Sequence, residues 1–271
     1  MNLKQVEIMI NKIMRYPKIS ILMTIFNHQK FLKFSLNSVI KQNYFNWELI
    51  AIDNGSTDKS RSELKKFKDK RIKKIYLNKN IGRTRCLNFG LKFCKGKYIA
   101  ILDSDDISLL NRLTKQVKFL ENNKDVYLIG SNYQVIDENN RILKKKYFEH
   151  NINLKMRNLL FENFIAHSTV MYRKELLKKV GEYPREFRYA QDYAFYLKVY
   201  KRFKIFILQD VLVKMRKDHR YTEYARLANS KTIVQEEYKQ LKWTLKNYEF
   251  SLSEKIFLYL KYIKIVIKKI I

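Results

Sequence analysis

Cysteine, proline and glycine are all scarce in this chain. Its two cysteines, Cys86 and Cys94, are spaced neither as metal ligands nor as a disulfide framework, which suits a reducing compartment. Two prolines and six glycines leave little material for flexible linkers, and there is no internal repeat. Acidic residues are also in short supply, 26 against 56 basic ones, for a formal net charge of +30. That excess predicts attraction to polyanions such as nucleic acid, anionic lipid or phosphate-bearing ligands. Lys, Ile, Asn, Tyr and Phe are abundant together, as coding bias would also produce, so the charge alone identifies no partner. No apolar run approaches the roughly 18–20 residues a membrane span requires. The opening MNLKQVEIMINKIMRY is broken by charges where a signal peptide would be apolar. The expectation is a cytoplasmic protein, peripheral at the inner face of the cell membrane if it meets a membrane at all.

What is present is the material of a folded enzyme-sized unit. The chain is 46% hydrophobic and 14% aromatic, and its 271 residues allow one large core plus an appendage. The stretches at 18–25, 47–53, 71–77 and 97–103 read as strands, and 28–42 and 82–94 have helical spacing. Strands alternating with helices predict an α/β fold with a mostly parallel sheet covered on both faces. Beyond residue 108 the pattern is mixed: a helix near 109–123, a strand pair within 126–137, a basic turn RILKKKY, a strand near 204–208, and helix from about 222 onward. Three segments divide the chain: a helical lead-in at 1–16, the α/β unit at 17–218, and a basic helical extension at 219–271.

Ligands of open α/β sheets bind beyond the carboxyl ends of the strands. That rule places Thr24 to Asn27, Asp53 to Asp58 and Asp103 to Asp106 on one rim. The last group concentrates three carboxylates in four residues, and like charges so close resist ionising together. Asp103, Asp105 and Asp106 have three readings: helix-capping turn acids, an acid/base pair for hydrolysis, or oxygen ligands for Mg²⁺ or Mn²⁺ bridging to phosphates. Asp53, before Asn-Gly, either builds its turn or accepts a hydrogen bond from a base or ribose. Arg83 and Arg85 either meet a diphosphate or are solvated helix-face charges. The segment GLKFCKGK is not a phosphate-binding P-loop, because its glycine spacing is wrong and it precedes a strand.

Four stretches taken in order resemble a known family: PKISILMTIFNHQKFLKFSLNSVIKQNY, WELIAIDNGSTDKS, NKNIGRTRCLNFGLKFCKGKYIAILDSDDIS and HSTVMYRKELLKKVGEY with YAQDYAFYLKV. They are similar to the inverting glycosyltransferases of family 2, which use the GT-A fold. The resemblance spans roughly residues 17–218. It implies a nucleotide-sugar donor, UDP-linked in the first instance, and a divalent cation, Mn²⁺ or Mg²⁺. It implies that Asp53 receives the uracil, that Thr24, Phe26 and Asn27 line the nucleotide, and that Asp103 contacts ribose or sugar. Asp105 would ligate the metal, with Asp106 and His219 as further contacts. Asp192 would be the catalytic base; the position before it is often Glu and here is Gln191. His167 would border the acceptor, with Gln191 beside it. The products implied are bacterial surface polysaccharide, lipooligosaccharide or capsule, with a glycan or lipid-linked glycan as acceptor.

The tail SEKIFLYLKYIKIVIKKII has Lys261, Lys264 and Lys268 at helical spacing with apolar residues between them. Such a helix either lies on an anionic membrane surface or packs its apolar face on protein. The reading from another class is a non-catalytic, basic nucleic-acid- or membrane-binding protein on a degenerate transferase fold. No nucleic-acid-binding signature supports it, and such a protein has no use for Asp53, Asp103, Asp105 and Asp192 together.

Overall fold

The computed structural model describes residues 17–146, 152–153, 163–217 and 231–270. His219 and the expected lead-in at 1–16 lie outside the described residues. The first half follows the expected pattern closely. Strands β1 (Ile19–Ile25), β2 (Trp47–Asp53), β3 (Ile72–Tyr76) and β4 (Tyr98–Ile101) alternate with helices α1 (Leu32–Ile40), α2 (Ser60–Lys66) and α3 (Arg83–Leu91). β1 pairs in parallel with both β2 and β4, and β2 with β3. β1, β2 and β4 are largely apolar because both faces are covered, whereas β3 at the sheet edge carries Lys73 and Lys74. Ile21, Met23 and Ile25 pack towards α1 and toward helix α4 (Arg112–Asn122); Leu22, Ile50, Ile99 and Ile101 pack against α3.

The second half is mixed. β5 (Ile107–Ser108) and α4 lead into the long strand β6 (Val126–Ile136), followed by β7 (Ile142–Lys146) and β8 (Ile152–Asn153). A 3-10 turn at His167–Thr169 precedes β9 (Met171–Arg173), helices α5 (Leu176–Val180) and α6 (Gln191–Tyr200), and strand β10 (Lys204–Arg216). The sheet order is β3-β2-β1-β4-β9-β6-β10-β5. β9 runs antiparallel to β4 and β6, so strand direction reverses at the β4–β9 boundary.

Two expectations from the sequence need correction. The 126–137 stretch is one strand, and the basic stretch expected as a turn is its partner β7. The reversal occurs earlier, at Asp137–Asn140, where the Asp137 carboxylate accepts from the Asn139 and Arg141 amides and Asn140 takes φ +66°. The strand expected at 204–208 extends to Arg216 through register shifts against β6.

Helices α7 (Lys231–Asn247) and α8 (Leu252–Ile270) pack on the α6 side. Leu241 and Leu258 join the same buried cluster as Tyr193, Phe195 and Tyr196 of α6. Among the described residues, no helix is long and apolar enough to cross a membrane.

Candidate active site

The rim is built by loops that hold one another. Asn27, directly after β1, takes the left-handed conformation at φ +56°, which Asn tolerates better than most residues. Its side-chain oxygen accepts from the Thr57 amide at 2.9 Å, and its own amide donates to the Ser56 hydroxyl at 3.1 Å. The β1 and β2 loops are thereby latched. Gly55, at φ +71°, passes so close to the Lys79–Asn80 backbone that a Cβ would sit 2.4 Å from the Lys79 carbonyl carbon. Glycine is required there on both counts. Thr24 and Phe26 lie partly exposed at the same end of β1.

Asp53 ends β2 with no exposed surface. One oxygen accepts from Arg61 Nε at 2.8 Å and the other from the Ser56 amide at 3.2 Å. Arg61 was not foreseen, because nothing in the spacing shows that α2 turns this side chain back onto β2.

The D-x-D loop after β4 is held from three sides. The Asp103 amide donates to Ser168 Oγ at 3.0 Å; Asp106 accepts from the Arg216 amide at 2.7 Å; and Arg216 Nε donates to the Asp105 carbonyl at 3.0 Å. Beneath it the fully buried Arg112 donates to the carbonyls of Ile101 and Val170. Burial lowers its pKa to about 9, even with Asp106 and Asp103 nearby, so it remains a cation at neutral pH. His28 places Nδ1 2.7 Å from Ser104 Oγ and 3.9 Å from Asp105. None of these supporting side chains was read from the sequence; their partners lie up to 111 residues away.

The three carboxylates have different electrostatics. Burial pushes Asp103 up, but the Arg83 guanidinium, by its charge and its hydrogen bond, more than offsets this and holds the pKa below the usual range. Burial raises Asp105, with the neighbouring Asp103 adding to it. Asp106 is raised well above the usual value by burial and by both neighbouring acids. Among the described residues, no three His, Cys, Asp or Glu side chains form a ready-made metal cage. The residues present nevertheless fit a hard cation: the Asp105 and Asp106 oxygens are poorly neutralised, and Mg²⁺ or Mn²⁺ commonly takes one or two carboxylates plus substrate phosphates.

Arg83 is the hub. It stands at the start of α3, and Nη2 donates to Asp103 at 2.5 Å and lies 3.1 Å from His167 Nδ1. With the Gln191 amide in the orientation that satisfies both of its ends, the side-chain oxygen accepts from Arg83 Nε at 3.2 Å and its nitrogen donates to the Arg188 carbonyl. Burial works against the Arg83 charge, but Asp103 above all, then Asp192 and Asp105, leave its pKa above the usual value. Arg85, two residues on, is exposed, as helical geometry requires of an i,i+2 pair.

His167 is buried, with Nε2 3.1 Å from the Tyr183 hydroxyl. Burial and the adjacent Arg83 push its pKa down to about 3, so it is neutral. Asp192 lies in the first turn of α6, where it accepts from the Tyr193 amide at 2.8 Å and from Asn163 at 3.3 Å. Burial raises its pKa to about 6 despite these contacts and Arg83. The site thus places Asp53, Asp103, Arg83, His167, Gln191 and Asp192 around one rim. A carboxylate of elevated basicity faces an acidic loop across an arginine.

A parallel half-sheet, an acidic loop beyond β4 and a buried carboxylate facing that loop are the arrangement expected of a GT-A glycosyltransferase. The solved structures agree on the fold. Staphylococcus aureus TarS 1-349 in complex with UDP-GlcNAc superimposes with a TM-score of 0.72 at 22% identity, over 89% of this chain and 70% of that one. The mannosyltransferase PcManGT of Pyrobaculum calidifontis, in complex with GDP-Man and Mn²⁺, gives 0.67 at 15% identity, over 90% of this chain and 69% of that one. The sequence carries the assignment further. Residues 20–181 match the model of glycosyl transferase family 2. An uncharacterized glycosyltransferase of Methanocaldococcus jannaschii is 34% identical over 79% of this chain and 76% of its own. The Escherichia coli UDP-Glc:alpha-D-GlcNAc-diphosphoundecaprenol beta-1,3-glucosyltransferase WfgD is 34% identical over 68% of this chain and 70% of its own. The chain belongs to glycosyl transferase family 2, as its four motifs led us to expect.

Proposed function

We propose that the protein moves a sugar from a UDP-linked donor to a glycan hydroxyl by a single displacement that inverts the anomeric carbon. The observation that carries this reading is Asp192, raised to a pKa of about 6 and linked through Gln191 and Arg83 to Asp103. Asp192 takes the proton of the acceptor hydroxyl as that oxygen bonds to the anomeric carbon, and the sugar–phosphate bond breaks with its electron pair leaving on the diphosphate. A pKa near 6 leaves the carboxylate mostly ionised at neutral pH, yet more basic than a solvated one. Arg83 supplies fixed positive charge beside the donor and keeps Asp103 in place. Neutral His167 and Gln191 stand on the acceptor side.

Asp105, with Asp106, would hold the divalent cation, which offsets the charge developing on the diphosphate. Thr24, Phe26 and Asn27 line the nucleotide end, Asn27 also keeping the rim in shape; Asp53, fully buried against Arg61 and the Ser56 amide, would reach the base only if Arg61 gave way. The lipid-linked acceptor named for WfgD supports an acceptor of that kind in surface-glycan synthesis.

Helix α8 is the proposed membrane contact. Leu252, Ile256, Tyr259, Leu260, Ile263 and Ile267 are all exposed and recur at helical spacing along one side, and the sequence intersperses lysines among them. Apolar residues beside lysines suit an anionic lipid surface. The test is a screen of UDP-, GDP- and dTDP-sugars with Mn²⁺, reading nucleotide release. Release from a UDP-sugar that stops on chelation is expected. Release from none of them, with no UDP binding, would refute the reading.

A further inference from the structure

The segment that delivers the base is gripped from two sides. Residues 182–190 lead directly into α6, so their path decides where Asp192 stands. On the donor side, α3 holds them: Asn88 donates to the Tyr183 carbonyl at 2.8 Å and accepts its amide at 3.1 Å, and Thr84 donates to the Phe187 carbonyl at 2.5 Å. On the opposite side, α7 does the same. Glu236 Oε1 accepts from the Arg188 amide at 2.5 Å and from the Tyr189 amide at 3.3 Å. Lys239 donates to the Glu186 carbonyl, and the Trp243 ring stands edge-on to Phe187 at 5.6 Å. From α8, Lys261 Nζ donates to the Tyr193 hydroxyl at 2.9 Å and lies 4.6 Å from the centre of its ring.

Within α6 itself, the Tyr193 amide of the first turn is taken by Asp192. The N-cap position, Ala190, makes no side-chain cap bond, so the course of the chain into the helix is set by contacts on the residues before it. Glu236, from another helix, binds the two amides just ahead of the cap, holding the chain as it enters α6. A carboxylate accepting two consecutive amides is a charge-assisted contact, stronger than a neutral pair. We infer that Glu236 is a positioning residue for the base: it fixes the entry of α6 and, through it, the place of Asp192 opposite Arg83. The C-terminal helices are then part of the transfer site as well as an attachment surface. This inference rests on Asp192 being the base.

The experiment compares full-length Glu236→Ala and Glu236→Gln with the parent. Gln keeps a carbonyl oxygen able to accept the same two amides; Ala keeps nothing. Hydrogen–deuterium exchange of peptides covering 186–193 should rise about tenfold in the Ala variant, while those covering 19–60 stay unchanged. With a donor found by the nucleotide-release screen, kcat should fall roughly ten- to hundredfold, since a small misplacement of a catalytic group is expensive. Donor KM should hold within about twofold, and Gln should recover most of both losses. Unchanged exchange at 186–193, wild-type kcat in the Ala variant, donor binding lost together with turnover, or a Gln variant as impaired as Ala would each overturn the inference. The exchange measurement needs no donor, so it decides the placement even if the screen finds no substrate.

Discussion

Replacing Asp192 with Asn separates what this residue costs the fold from what it does in the reaction. Burial raises the Asp192 pKa from 3.8 to about 6, against the Tyr193 amide, Arg83 and Asn163, which favour the carboxylate. A carboxyl with a higher pKa in the folded chain than in the unfolded one costs stability when both states are ionised. The whole cost therefore applies above about pH 6, shrinks as pH falls from 6 toward 3.8, and is gone below that. The difference corresponds to about 3 kcal/mol, an upper bound because the side chain keeps some contact with water. Asn has nearly the same shape, retains an oxygen for the Tyr193 amide and carries no charge. Asp192→Asn should therefore melt higher than the parent at pH 8 by several degrees, at most about 10 °C. At pH 4 the two should melt nearly together. Turnover should fall by roughly 10²- to 10⁴-fold, with UDP affinity unchanged, and parent kcat should climb with pH through about 6 and level off. Scanning calorimetry at the two pH values and nucleotide-release kinetics on the same preparations provide the assay. An Asn variant that turned over normally, or whose stability gain was absent at pH 8 or equal at both pH values, would refute the reasoning.

Asp105→Ala should weaken Mn²⁺-dependent UDP binding by roughly a hundredfold in isothermal titration calorimetry, leaving whatever binding occurs without metal; equal binding with Mn²⁺ would remove Asp105 as a ligand. For the membrane face, Ile256→Asp with Leu260→Asp should reduce co-sedimentation with anionic phospholipid vesicles while the melting temperature stays put, because both side chains are exposed. Parent binding should itself decline at high salt. Point changes are preferable to truncation here, since Leu258 lies in the core and Lys261 is bonded to Tyr193.

The legible part of the fold was the part whose contacts are repetitive. Strands β1, β2 and β4 are buried on both faces, so each is a largely apolar run ending at the rim. The lysine-rich β7 carries no such mark; it is an edge strand whose pairing with β6 depends on the turn at Asp137–Asn140. The carboxylates of the site were visible because acids are rare in this chain and cluster beyond strands. Their supports were not. Arg61 on Asp53, Ser168 on Asp103 and Arg216 on Asp106 are contacts between residues whose types are unremarkable and whose separation in sequence is set by topology alone. Arg83 could be named but not assigned, because only the packing of α3 against the D-x-D loop decides which of two neighbouring arginines faces inward.

The reversal of strand direction at β4–β9 divides the enzyme into two portions of different origin. On the reading proposed above, the nucleotide side of that seam comes from one uninterrupted stretch, 19–106, whose loops fasten to one another. On the same reading, what receives the acceptor comes from later chain, joined to the first portion by the β4–β9 pairing and by a broad set of side-chain bonds, among them Arg216 to the Asp105 carbonyl, Ser168 to the Asp103 amide, Arg112 to the Ile101 carbonyl and Asn88 to Tyr183. An enzyme so divided can exchange its acceptor while keeping its donor, by remodelling residues beyond 107 and preserving those bonds. Chimeras cut at the seam are thus the natural way to redirect which glycan is extended.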